Sequence, residues 1–277
     1  MNPSQAASSL SSVLVPCDLP LAAMIVPNDS LFLVYDHFEK RVNREGHLHA
    51  TLDGSTIFLA GDPKIASFAM PSQLYPFHIN YFTFGKLFEI LDGKRHLQIV
   101  ETGTSANAVD STSLFDTYAR TYDSRLVTID IDPSRAIGAS VRWSKETTAV
   151  TSDSVAYLRS WAEQVGPNKK MDVVYLDSWD IDWLNPEPSQ SHGLAEFNSI
   201  LPHLADEAYI LIDDTPASPE WLPFRNATYE QVKQQVELGG QMPGKGAYVH
   251  MIIKQDPRFQ VIAHQYQLLL KYTASST

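Results

Sequence analysis

Only one cysteine, Cys17, occurs in the 277 residues. An intramolecular disulfide and a cysteine-rich zinc site are therefore excluded, and this usage suits a reducing compartment. Cys17 reads as a small hydrophobe before it reads as a nucleophile. No apolar run reaches about 18 residues, so no membrane-spanning helix is expected. The stretch from Met1 to Pro27 lacks a positively charged start and carries Asp18 and Pro20. It is not read as a secretion signal, and a cytoplasmic location is expected. Positive charge is scarce too: 21 Lys and Arg face 32 Asp and Glu, a net charge of −11. No Lys/Arg cluster is present, so neither nucleic acid nor membrane is an expected partner. Glycine is missing where a dinucleotide fold needs it. The turn ETGTSANAVD holds Gly103 alone, not G-x-G-x-x-G, which disfavours a dinucleotide and a phosphate cradle.

What is present is ordinary for a globular enzyme. Hydrophobic residues make up 44% and charged residues 19%, too apolar for a disordered chain. The length fits one large α/β domain with an N-terminal extension. Residues 1–80 read as that extension. It holds a strand at LFLVY (Leu31 to Tyr35) and a hairpin from Leu48 to Leu59 turning at Asp53-Gly54. Its role, as a cap or as a contact in a homo-oligomer, stays open. His47 and His49 share a strand face but have no third ligand near them, so they read as plain exposed residues.

Residues 81–277 have a different rhythm. Apolar positions at Phe84, Leu87, Phe88 and Leu91 mark a helix that stops at Asp92-Gly93. Strands are expected at Leu97–Glu101, Leu126–Asp130, Thr148–Thr151, Met171–Asp177 and Ala208–Asp213. Helices are expected at Ser113–Tyr122, Ser134–Ser144, Ser154–Gln164 and Gly193–Leu204. This alternation predicts an α/β fold with a doubly wound, mostly parallel, Rossmann-like sheet. The last two runs, Ala247–Lys254 and Phe259–Tyr272, read as an antiparallel strand pair turning at Asp256-Pro257.

In such a sheet, ligands bind beyond the carboxyl ends of the strands. Glu101, Asp130, Asp153, Asp177 and Asp213 stand at or just past five successive ends, and all are acidic. Gathered carboxylates repel unless something positive or hydrogen-bond-donating lies among them. Gly103 allows close backbone approach. Asp130, in VTIDIDP, can accept both hydroxyls of a ribose; its neighbour Asp132 is the alternative, or a helix cap. Asp153, in TSDS, either accepts from an adenine amino group or caps the next helix. Adjacent parallel strands lie about 5 Å apart. Asp177 of VVYLDSWD and Asp213-Asp214 of ILIDDT are therefore expected to converge. Such oxygen-only ligands suit Mg²⁺ better than zinc.

The ordered series ETGTS, VTIDIDP, TSDS, VVYLDSWD and ILIDDT resembles the class I S-adenosylmethionine-dependent methyltransferases from about Leu97 to Tyr272. It is similar in particular to the metal-dependent O-methyltransferases of the catechol and macrocin types. The resemblance implies a seven-stranded sheet with a reversed C-terminal hairpin. It places Glu101, Gly103 and Ser105 along the methionine part of S-adenosylmethionine, Asp130 at the ribose, and Asp153 with Ser154 near the adenine. It also implies metal ligation by Asp177, Asp213 and Asp214. Trp179 matches a tryptophan of the catechol type, and Asp214 stands where that type has an amide.

Asp180 falls where the catechol enzymes place a lysine as general base, which favours a sugar or aliphatic hydroxyl over a catechol. A carboxylate can take that role if burial raises its pKa. Asp182 and His192 are rival bases; His192 sits in PEPSQSHGLAEF, read as a loop entering a helix. Gly244-Lys245-Gly246 has neither the spacing nor the context of a phosphate loop and reads as a turn into a strand. The expected activity is methyl transfer to a small-molecule hydroxyl, assisted by Mg²⁺. The rivals are a metal-free N- or O-methyltransferase using Asp180 or His192, and a non-catalytic assembly protein with a methyltransferase-like fold.

Overall fold

The structure, a computed structural model, describes residues 79–104, 111–135, 143–222 and 226–274. It also describes the backbone of three short strands before them: β1 (Arg41–Val42), β2 (Leu48–Leu52) and β3 (Ser55–Phe58). These three form an antiparallel sheet in the order β1-β2-β3. The expected hairpin is its β2–β3 pair. The expected strand at 31–35, Cys17, His47, Ser105 and most of the helix expected at 134–144 lie outside the described residues.

The main sheet follows. Helix α1 (Tyr81–Leu91) leads to β4 (Gln98–Thr102), α2 (Ser111–Thr121), β5 (Arg125–Asp130) and β6 (Thr147–Thr151). Then come α3 (Ser154–Arg159), α4 (Trp161–Gln164), β7 (Met171–Leu176), α5 (Glu187–Ile200) and β8 (Leu204–Ile212). The chain ends with α6 (Ala227–Glu237), α7 (Ala247–Ile253), β9 (Phe259–His264) and β10 (Leu268–Tyr272).

Seven strands pair in the order β6-β5-β4-β7-β8-β10-β9. The first five are parallel, and β10 pairs antiparallel with both β8 and β9. This is the doubly wound, mostly parallel sheet that the alternating pattern predicts, with its reversed final hairpin. Buried on both faces, its central strands are continuous apolar runs rather than alternating ones. On one face Ile99, Val173, Tyr175 and Leu211 pack against Phe84, Phe88, Leu114, Phe115 and Tyr118 of α1 and α2. On the other, Val100, Val174, Leu176 and Ile210 pack against Leu158, Trp161, Phe197, Val249 and Ile253 of α3, α4, α5 and α7. Among the described residues no helix is long and apolar enough to cross a membrane.

Two expectations are corrected. Residues 247–253 form helix α7, not a strand. A short β-branched run reads alike in both states; Val249 and Ile253, one helical turn apart, are the positions that reach the core. The topology also requires a crossover here. The strand after β8 lies at the sheet edge, one place beyond β10, so the connection must pass over the sheet face. The terminal hairpin comes instead entirely from 259–272. Helix α5 starts at Glu187 rather than Gly193, with Pro186 before its first turn. His192 is thus a helical residue, not a loop residue.

The order of strands reverses between β4 and β7, the switch point. Gly103 sits there at φ +84°, and a Cβ on it would lie 2.2 Å from the carbonyl oxygen of Asp177. Its glycine character is required first by this backbone-on-backbone contact. Gly103→Ala is expected to lower unfolding stability by about 3 kcal/mol through the positive φ and the clash. Urea denaturation checks it, and wild-type stability in the variant would contradict the contact.

Candidate functional site

The last rungs of the parallel ladder set the rim. Asp177 N donates to Thr102 O at 3.1 Å, and Asp213 N donates to Leu176 O at 3.1 Å. The two aspartates therefore stand side by side, one residue past β7 and β8. Asp214 follows at φ 43°, a left-handed position that Asp tolerates better than most residues. One oxygen from each of Asp177, Asp213 and Asp214 lies within 4.8 Å of the others. The expected convergence is present.

Each of the three accepts from at least one neutral side-chain donor. The Tyr175 hydroxyl donates to Asp177 Oδ2 at 3.1 Å. Asn80 Nδ2, just before α1, and Gln267 Nε2, just before β10, donate to Asp213 Oδ1 at 3.2 and 2.7 Å. The Tyr266 hydroxyl donates to Asp214 Oδ1. Gln267 in turn accepts from the Thr83 hydroxyl on α1. Lys245 then enters from the segment before α7. Its Nζ lies 2.5 Å from Asp177 Oδ1 and 3.0 Å from Asp214 Oδ2. It is not a solvated turn residue but a buried ammonium, 4% exposed.

Three carboxylates around one ammonium carry an excess of negative charge, and the proton affinities reflect it. Burial, then the carboxylates of Asp177 and Asp214, hold the Asp213 carboxyl well above its ordinary range. Burial also raises Asp177, with the Lys245 charge opposing. For Lys245, burial works against the charged form, but the neighbouring carboxylates outweigh it and raise its pKa. The ammonium stays protonated.

On the other side of the switch point stand the residues assigned by resemblance to the cofactor. Asp130 Oδ2 accepts from Thr104 N at 2.9 Å and Oδ1 from Asp132 N at 2.8 Å, so Asp130 orders the turn after β4. Asp132 accepts from Ser134 N at 2.8 Å, a local cap. Asp153 caps α3, accepting from Ala156 N at 2.8 Å. Glu101 is fully buried and accepts from the hydroxyls of Thr112 and Thr128 at 2.6 and 2.7 Å. Among the described residues its Oε1 has no hydrogen-bond partner. Burial raises its pKa from 4.5 to about 7, against hydrogen bonds from Ser111, Thr112 and Thr128.

The candidate bases are placed differently from one another. Asp180 and Asp182 are exposed. Asp182 accepts from Leu184 N and Asn185 N and so closes a turn. The burial that a carboxylate base at Asp180 requires is absent. His192 is enclosed: its Nε2 lies 2.9 Å from Ser178 Oγ, 3.2 Å from Ser154 Oγ and 3.5 Å from Glu196 Oε1. The Glu196 hydrogen bond leads in raising its pKa. Trp179 is half exposed, with its ring 5.1 Å from the His192 ring. His192 thus joins Ser154, after β6, to Ser178, after β7.

Sequence reasoning missed Lys245, Gln267, Glu196 and the two tyrosines. Lys245 alone carried a signal: a lysine between two glycines marks a segment pressed against its neighbours.

No protein-family model and no curated protein matches the chain. Solved structures do. The MycE methyltransferase of the mycinamycin biosynthetic pathway, in complex with Mg, SAH and mycinamycin VI, is 14% identical with a TM-score of 0.47. The match covers 72% of this chain and 50% of that one, so this chain spans about half its length. The O-methyltransferase from Bacillus cereus in complex with SAH is 13% identical, with a TM-score of 0.46 and 96% of each chain covered. TomG from Streptomyces achromogenes, an O-methyltransferase involved in tomaymycin synthesis, is 16% identical with a TM-score of 0.41, over 64% and 73%. Such distant overlaps say nothing about activity. The strand order does decide the architecture, because the seventh strand inserts antiparallel between the fifth and the sixth. The fold is that of the class I methyltransferases.

The raised pKa of Glu101 has a direct consequence. The folded chain keeps a proton that the unfolded chain releases between 4.5 and about 7. Stability from this group is full below its unfolded pKa and is lost as pH rises through its folded one. Between about pH 5 and about pH 8, wild type is expected to lose on the order of 2 kcal/mol more stability than Glu101→Gln. Urea titrations at both pH values check it; parallel profiles would contradict it.

Proposed function

We propose that this protein is an S-adenosylmethionine-dependent O-methyltransferase that acts on a hydroxyl group of a small molecule, with a divalent cation held by Asp177, Asp213 and Asp214. The observation that carries the reading is the meeting of three carboxylates within 4.8 Å just past the carboxyl ends of β7 and β8, at the rim of a class I methyltransferase sheet. These hard oxygen donors fit Mg²⁺. When bound, the ion supplies Lewis acidity and a fixed point for the acceptor hydroxyl.

The chain's own residues do the remaining work. Asp130 already aligns the turn after β4 through Thr104 N, and its carboxylate retains acceptor capacity for ribose hydroxyls. Ser105, Gly103 and Glu101 border the methionine part of the cofactor in this reading. Asp153, Ser154 and Trp179 border the adenine. The contact between Gly103 and the Asp177 carbonyl joins the cofactor side to the acidic side, so sulfonium and acceptor are held at one edge. Bringing the two reactants together accounts for much of the acceleration. Held beside these residues, S-adenosylmethionine would supply the methyl group: the carbon–oxygen bond would form as the carbon–sulfur bond breaks, its electron pair leaving on the sulfur of S-adenosylhomocysteine, and the hydroxyl proton would pass to water.

Of the three bases weighed, His192 has the organised surroundings, while Asp180 and Asp182 are open to solvent. In this reading His192 supports a metal-free variant of the reaction. A sugar or natural-product hydroxyl is the acceptor class we favour, because Asp180 replaces the lysine of catechol enzymes.

Calorimetry with S-adenosylhomocysteine provides the first test. Asp130→Ala is expected to weaken binding by about tenfold or more, the size of a lost charged hydrogen bond. Asp177→Ala combined with Asp213→Ala is expected to leave that affinity nearly intact while abolishing methyl transfer. Turnover unchanged by EDTA would remove the cation from the reading, and absence of cofactor binding would remove the methyltransferase assignment.

A further inference from the structure

The proposed reaction leaves Lys245 without a role, yet the fold goes to some length to place it. Lys245 N donates to Asp214 O at 2.9 Å. Gly246 N donates to Thr215 Oγ1 at 2.9 Å, and that hydroxyl donates to Asp213 O at 2.7 Å. Three glycines make the approach possible. A Cβ on Gly193 of α5 would lie 2.6 Å from Lys245 O. On Gly244 it would lie 2.7 Å from Asp214 O, and on Gly246 it would lie 2.8 Å from Thr215 Oγ1. At Gly193 and Gly244 a side chain would strike backbone, and at Gly246 it would have to displace the Thr215 and Ile212 side chains. The lysine is therefore delivered by the main chain, not by a chance rotamer.

The six carboxylate oxygens divide in a simple way. One oxygen of each aspartate is taken by neutral donors: Asp177 Oδ2 by Tyr175, Asp213 Oδ1 by Asn80 and Gln267, Asp214 Oδ1 by Tyr266. The other oxygen of Asp177 and of Asp214 goes to the Lys245 ammonium. The other oxygen of Asp213, on a residue only 8% exposed, accepts no hydrogen bond among the described residues. Each acid thus keeps one oxygen for a cation, and the ammonium uses two of the three.

We propose that Lys245 is a tethered cation that a divalent ion must displace: ammonium and metal compete for the same oxygens of Asp177 and Asp214, and only the metal adds Asp213. This rests on the divalent-cation reading above. The ammonium relieves the repulsion that three carboxylates would otherwise suffer in the metal-free protein. The cost is a weaker metal site, because the incoming ion must first break a buried ion pair.

The test uses Mn²⁺ as the probe, with free ion counted by electron paramagnetic resonance in titrations of wild type, Lys245→Met and Lys245→Gln. Both variants are expected to bind Mn²⁺ about tenfold or more tightly than wild type. Their metal-free melting temperatures are expected to fall and to be restored by Mn²⁺. Equal or weaker binding by the variants, with wild type still binding, would overturn the competition and leave the metal reading standing. No Mn²⁺ binding by any of the three would overturn both. A measurement on wild type alone guards against variants that do not fold. Reductive methylation of the Lys245 amine, read by peptide mass spectrometry, is expected to be slow without metal and faster with saturating Mn²⁺. An unchanged rate would overturn the displacement.

Discussion

Three carboxylates within 4.8 Å at the end of two adjacent strands impose a charge problem, and the arrangement of the site follows from how it is met. A single ammonium, 4% exposed, answers part of it. The remainder falls to neutral donors: the neighbouring Tyr175 on β7 and, from far along the chain, Asn80 before α1 and Tyr266 and Gln267 at the entry to β10. A buried acid without such partners is costly. This one constraint ties the first helix of the domain, the two central strands, the final hairpin and the crossover before α7 to a single point.

The cofactor side of the rim obeys a gentler rule. Asp130, Asp132 and Asp153 each satisfy nearby backbone N–H groups and so shape turns while keeping acceptor capacity. Glu101 is the exception. It lies fully enclosed beneath the rim and is held by threonine hydroxyls from α2 and β5, with burial raising its pKa to about 7. The two sides touch at Gly103, whose missing Cβ lets the turn after β4 rest on the Asp177 carbonyl. A shift in either turn must move the other.

Much of this was legible beforehand, for identifiable reasons. Central strands buried on both faces write continuous apolar runs, and their ends write acids, so β4, β5, β7 and β8 and the convergence of Asp177, Asp213 and Asp214 could be read directly. Short elements failed where local pattern is ambiguous. Val249 and Ile253 fit a strand or a helix equally, and only the crossover to the sheet edge selects the helix. His192 reads as a loop residue because serine and proline surround it; in the fold the helix runs back to Glu187, with Ser189, Gln190 and Gly193 buried in its first two turns. Gly244-Lys245-Gly246 reads as a turn because its glycines signal a close approach without naming the partner; only the fold sets the segment against Gly193 of α5 and Asp214 after β8.

By itself, the amino-acid sequence determined the alternating elements, the doubly wound architecture and the acidic strand ends, because periodicity and strand-end chemistry are properties of neighbours in the chain. Only the tertiary structure decided which cation those acids already hold, which donors orient each oxygen and which histidine is enclosed. Most of those facts depend on contacts between residues distant in the chain, such as Asp214 with Lys245 and Asn80 with Asp213. Charge compensation at a buried site is a sum over space, and chain order does not encode it locally.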